Sequence, residues 1–327
     1  MRAQGAIVQG GLAAASLLLA YATWQREPDK NASDVTVLAV GKSELTKVRY
    51  EDGAKWVELT AQGSGDDRQM WLRISAKPES KTPERELKGN EAALKLYERF
   101  TPLRATRALG LQPEAKLKEL GLEKPTKHLA ISTKGATTQF AIGSSTYAVS
   151  DPYVYNEQDK NVFVLGRSIL SDLDNAASRL VDRSLHKFKA TDYDAISVSA
   201  NQKRRDLSLE GDAPAKLLSA KTHQPDVLAK NWHDKVFSLY VTEPLGKGEV
   251  PADGEPQVRF RVDYSHHKKG VGFVEVAKLT PARAPAVSTA PPPATYYARS
   301  EYTPGWVKIA ASAEDLIKES EKIASAD

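Results

Sequence analysis

Two stretches of this chain run through the same succession of elements. Pro125–Leu173 carries a proline, an alternating strand, a polar turn, a second strand, a Thr146-Tyr147 pair opening a third, an apolar fourth strand and a helix. Pro256–Ile317 repeats that course, with Thr295-Tyr296 at the matching place. Strict alternation, as in Val258, Phe260, Val262 and Tyr264, builds strands with one face in a core and one in water. Such strands pair antiparallel, because parallel sheets are covered on both faces and read as continuous apolar runs. The 327 residues suffice for about two domains of ~150 residues, each large enough for its own core.

The expected fold is therefore α+β. An N-terminal transmembrane helix precedes two tandem repeats of mostly antiparallel sheet with one or two packed helices each. The predicted boundaries are 1–24 for the anchor, 25–33 for a linker, 34–182 for the first repeat and 183–327 for the second. The repeat extends upstream by pairing Tyr193–Val198 with Asp34–Val40, Arg205–Glu210 with Lys47–Gly53, and Lys216–Ala220 with Trp56–Ala61. Pro225–Leu239, with Val227, Leu228, Trp232, Val236 and Leu239 on one face, then answers a helix capped by Asn90 and ended by Pro102. Pro113–Leu120 reads as a short helix closed by Gly121. Residues 76–89, with Pro78 and Pro83, read as a loop.

Ala6–Trp24 holds 19 residues without a charge, long enough to cross a bilayer core of ~30 Å. Arg2 on the short flank favours a cytoplasmic N-terminus. A cleaved secretory signal is the competing reading, since Ala20-Tyr21-Ala22 fits a small-x-small site. Either exports the rest of the chain. The expectation is a bacterial inner-membrane, single-pass protein with a periplasmic C-terminal part. The absence of cysteine excludes disulfides, thiolate metal sites and a cysteine nucleophile, and fits periplasm and cytosol alike. With 46 basic and 42 acidic residues, the charge is too balanced for a nucleic-acid partner.

Chemistry is hard to find in the sequence. His128, His186, His223, His233, His266 and His267 include no helical i, i+4 zinc pair. His266-His267 caps a hairpin, where neighbours on extended chain point to opposite faces, so metal binding there looks awkward. Gly63-Ser64-Gly65 and Gly270-Val271-Gly272 do not join a strand to a helix as a phosphate loop requires. Asp66-Asp67, Asp172 and Asp174 lack calcium-loop spacing. Lys203-Arg204-Arg205 and Lys268-Lys269 read as charges protecting strand edges, and Trp56, Trp71, Trp232 and Trp306 as core. No catalytic, cofactor or metal residue is expected, and no cofactor. The repeats differ most at 280–295, where Pro281, Pro285, Pro291, Pro292 and Pro293 favour polyproline II. These five prolines are the candidate partner-docking residues.

Leu117–Val149 carries further motifs: Gly121-Leu122 ending a short helix, Pro125 before a strand, Ile142-Gly143 ending the next, and Tyr147. With the apolar strand and Ser-rich helix of Val162–Leu173 and the Asp52-Gly53-Ala54-Lys55-Trp56 turn, it resembles the family called domain of unknown function 4340, over about residues 34–190. The resemblance implies one N-terminal membrane helix and an extracytoplasmic accessory role beside gliding-type ABC-transporter subunits. It implies an ABC permease or auxiliary subunit as partner, and carries over no active-site residue. The reading is a non-enzymatic, membrane-anchored accessory or assembly subunit of an ABC-transporter-linked or gliding-motility envelope complex. The alternative is a periplasmic ligand- or glycan-binding module.

Overall fold

The computed structural model describes residues 35–326, apart from 64, 66–67, 76–83, 148, 212–215, 253 and 281–292. The expected anchor, its linker, and Pro281, Pro285, Pro291 and Pro292 lie outside the described residues; Pro293 is described and exposed. Among the described residues no helix is long and apolar enough to cross a membrane. Their strands form three antiparallel sheets, accompanied by six helices.

A short strand, β1 (Val35–Leu38), stands outside the larger sheets. Then come β2 (Leu45–Asp52), β3 (Lys55–Gln62), β4 (Gln69–Ser75) and β5 (Glu84–Lys88), each beside the next. Helix α1 (Glu91–Glu98) follows, with the Asn90 side chain accepting from the Ala93 N–H at 3.0 Å, as its sequence predicts. β6 (Leu103–Ala105) pairs only with β1. β7 (Arg107–Leu111) and α2 (Glu114–Glu119) lead into β8 (Lys127–Thr133), β9 (Thr137–Ser145), β10 (Pro152–Asn156) and β11 (Asn161–Val164). Two helices close this part, α3 (Arg167–Asp174) and α4 (Ala176–Arg179). The sheet order is β5-β4-β3-β2-β8-β9-β10-β11-β7.

The second part contains β12 (Ala195–Ala200), β13 (Lys203–Glu210), β14 (Lys216–Ser219), α5 (Val227–Phe237), β15 (Val241–Pro244), β16 (Gln257–His266), β17 (Lys269–Leu279), β18 (Thr295–Ser300), β19 (Val307–Ile309) and α6 (Ala313–Ser325). Its sheet order is β14-β13-β12-β16-β17-β18-β19-β15. Strand for strand, this is the order β4-β3-β2-β8-β9-β10-β11-β7 of the first sheet. The correspondence corrects the upstream pairing expected from sequence. β12 occupies the place of β2, not of Val35–Val40, and β13 that of β3. The register slipped by one strand because β1 pairs outside the main sheet and has no counterpart in the second order.

Each sheet buries its main apolar face under helices. One core draws on residues from Val40 to Val181, the other on residues from Leu185 to Ala324. Tyr97 on α1 donates its hydroxyl to Leu45 O at 2.9 Å, and Trp232 on α5 donates Nε1–H to Leu316 O at 2.9 Å. These bonds satisfy the polar ends of rings that are otherwise core. α5 faces the sheet through Ala229, Trp232, His233 and Val236, whereas Val227 and Leu228 are exposed. The periodicity argument placed these two inward because it weighed hydrophobicity alone. The first turn after the Asp226 cap stands off the core. Tyr147 is also exposed, and β10 starts five residues later, so Thr146-Tyr147 begins the turn after β9 rather than opening a strand.

Candidate functional site: the cleft between the two sheets

β5, which falls in a stretch read as a loop, carries the joint. It is an edge strand of the first sheet, and edge strands present unpaired N–H and C=O groups to whatever lies beside them. Here the second part supplies that neighbour. Lys247 N–H donates to Glu86 O at 2.8 Å. Arg85 donates to Pro244 O at 2.6 Å and to Glu249 Oε2 at 3.0 Å. At its far end, Asp182 N–H donates to Lys88 O and Asn90 N–H to Leu180 O, both at 2.8 Å. Gly89 fits because a Cβ there would lie 2.7 Å from Met70 Cβ.

A cleft of about 570 Å3 opens where these segments meet. The first sheet and α1 line it with Arg68, Gln69, Met70, Trp71, Lys88, Gly89, Asn90, Glu91 and Leu94. The segment after α4 contributes Asp182, and the second part Lys187, Glu301, Tyr302 and Pro304. Lys88 is the central group. It is almost wholly buried, and its Nζ donates to Tyr302 O at 3.1 Å and sits 2.8 Å from the centre of the Tyr302 ring. Burial pulls its pKa down to about 8, with Lys187 acting the same way and Asp182 and Glu301 opposing. Tyr302 in turn donates to Asp182 Oδ2 at 2.8 Å. Burial, then the bond to Asp182, pushes that phenol up.

The carboxylates of the cleft are already engaged. Asp182 also accepts from Ser184 N–H at 2.8 Å. Glu301 accepts from Phe273 N–H at 2.9 Å and pairs with His186 Nδ1 at 3.2 Å. Glu91 pairs with Lys95 at 2.6 Å. Arg68, Lys88 and Lys187 thus stand among three carboxylates that already hold donors, and an acidic group on a small ligand is the complement of these cations. Trp71 adds an apolar wall, with its Nε1 buried and without a hydrogen-bond partner, and Lys247 Nζ lies 5.0 Å above the ring.

None of these residues was singled out for binding from sequence. Trp71 was read as core, which its 8% exposure supports. Lys88 lay in a stretch read as a loop. Pro293, the described one of the sequence-predicted docking prolines, is not among the residues that line the cleft. Asp66 and Asp67 lie outside the described residues. Asp172 pairs with Arg179 at 3.0 Å, and Asp174 accepts from the distant Tyr50 OH at 2.6 Å. Arg205 is no edge guard: β13 is interior, and the guanidinium holds the α5 cap Asp226 at 2.6 Å.

Residues 80–241 match the family described as Domain of unknown function (DUF4340). The chain resembles this family, as Gly121-Leu122 and Ile142-Gly143 within that segment led one to expect. The match starts after the Asp52–Trp56 turn and reaches across the joint into β15. No curated protein and no solved structure matches the chain.

Proposed function

We propose that the chain is a non-enzymatic, membrane-anchored accessory or assembly subunit of an envelope complex linked to an ABC transporter or to gliding motility. Residues 6–24 serve as its single span, and two tandem repeats of one α+β unit face the periplasm. The observation that carries this reading is the family match over residues 80–241, which takes in β5, α2 and β9. The matched segment holds strands of both sheets, and the reading takes it as scaffold. A tethered scaffold meets a membrane partner at raised effective concentration, so modest contacts suffice for docking. The expected partner is an ABC permease or auxiliary subunit, and the loop at 280–295 is the expected docking arm.

The test is photo-crosslinking of the full chain in native membranes, with the crosslinker placed at Pro293. Capture of a permease or auxiliary subunit is the expected result. Recovery of the chain uncrosslinked, or in the soluble fraction, would sink the reading. One observation favours the alternative, a periplasmic ligand- or glycan-binding module. The cleft has the size of a small-molecule site, and its three cations stand among three carboxylates that already hold other donors. Lys88 is the residue on which that alternative turns.

A further inference from the structure

The hairpin joining β16 to β17 turns through His267 and Lys268. Adjacent residues of extended chain would send two imidazoles to opposite faces. The turn overrides that: His267 and Lys268 have φ of 49° and 66°, the left-handed pair that matches a two-residue turn to the twist of its strands. His267 is thereby rotated out of the alternation, and its ring centre lies 4.1 Å from that of His266.

Sheet pairing brings a third donor to the same tip. β12 runs beside β16, with Ala195 opposite Ser265. The preceding residue, Asp194, donates its N–H to Ser265 O at 3.0 Å and accepts from Leu209 N–H at 2.7 Å. Its backbone is therefore clamped between two strands. Its Oδ2 lies 3.1 Å from His267 Nδ1 and 3.4 Å from His266 Nδ1. The His267 backbone N–H donates to the same carboxylate at 2.9 Å. The three donor atoms fall within 4.8 Å of one another.

We propose that Asp194, His266 and His267 form a binding site for a divalent transition ion of the Zn2+ or Cu2+ kind. Metal–ligand bonds of ~2.0–2.2 Å at tetrahedral angles separate neighbouring donors by ~3.3–3.5 Å. The two carboxylate–imidazole separations already stand near that value. Imidazole nitrogen selects zinc and copper, whereas magnesium and calcium take oxygen. The Asp194 carboxylate is oriented by the His267 N–H, as outer-shell donors orient metal ligands. Three protein donors leave at least one position open, and the tip is exposed, so a water or a donor from a partner completes the shell. Lys268 and Lys269 beside the site oppose a cation and limit its affinity. Both imidazoles must offer a nitrogen lone pair to bind, so protons compete with the metal for the site.

The experiment uses the full chain, purified without a polyhistidine tag and stripped of metal. It is titrated with Cu2+ and followed by calorimetry and electron paramagnetic resonance, with Zn2+ as competitor. One equivalent is expected, with hyperfine structure from two imidazole nitrogens. D194N and H267N should each weaken binding about tenfold or more, while H223A, at another exposed histidine, should not. H267N keeps a residue that tolerates positive φ, so it removes the ligand without removing the turn, and circular dichroism checks that. Affinity unchanged in D194N and H267N, or lost equally in H223A, would mean adventitious surface coordination only and overturn the site.

Discussion

Two carboxylates that their charge would place in water are buried, each covered by the strands beside it. Glu58 on β3 faces Arg49 and Arg73 across the register. Glu275 on β17 faces Arg261 and Arg299, at 2.8 and 2.5 Å. Flat rings complete the cover: Arg49 lies over Trp56, Arg261 over Phe273 and Arg299 over Trp306. Alternation places these residues on the outward face but cannot show that neighbouring strands shield them. His233 is the reverse case, a polar residue inside a core. It is 2% exposed, with Nε2 3.2 Å from the Tyr193 hydroxyl. Burial pulls its pKa down to about 4, against the pull of Asp234. An unfolded histidine titrates near 6.5, so between pH 6.5 and 4 the unfolded chain binds the extra proton and stability falls as pH falls. The wild type should lose about 2–3 kcal/mol more than H233Q over that window. Urea unfolding at several pH values measures it, and parallel curves would remove His233 as the cause.

At the scale of elements, the family motif becomes a docking contact between α2 and β9. The α2 run ends at Gly121, whose φ of +73° supplies the left-handed residue past a helix end. Leu120 O then accepts from Ser144 N–H at 2.9 Å and from Ser144 Oγ at 2.8 Å. This approach is close enough that a Cβ on Gly143 would lie 2.3 Å from Leu120 O. Leu120 and Leu122 pack with Ala141 and Val162 in a separate small core. G143A should therefore cost about 2–3 kcal/mol through lost contact and lost hydrogen bonds. G135A, with open space around it, should be near neutral in the same denaturant titration, and equal stabilities would refute the contact. These glycines, the Asn90 cap and the long alternating strands were legible in the sequence because local chemistry dictates them. β5, β6 and β7 were not. β5 follows a proline-marked polar stretch, β6 has three residues, and β7 has no fully buried position. Their pairing comes from distant strands. Asp194 escaped notice for the same reason, since β-pairing, not spacing, brings it to His267.

At the scale of the whole molecule, the two sheets meet through edge strands that would otherwise be open, and the cleft is a consequence of that meeting. Lys88 links the joint to the cleft, since its carbonyl accepts from Asp182 and its amine holds Tyr302. The amine titrates near 8 in the folded chain and near 10.4 when unfolded. Between those values the unfolded chain holds more protons, so the wild type should gain stability relative to K88M as pH rises from 8 to 10.5. Below pH 8 the cost of burying the charge is present in full. An acidic ligand in the cleft reverses this balance, because its charge favours the protonated amine. Acidic sugars and amino acids are therefore the probes for thermal-shift measurements on the full chain. If the cleft is a binding site, the rise in Tm should be largest below pH 8, shrink above it, and vanish in K88M. A shift that ignores pH, or survives in K88M, would place the ligand elsewhere. No shift with any probe would remove the ligand-binding alternative and leave the docking scaffold as the reading, because a scaffold requires the joint but not the cleft.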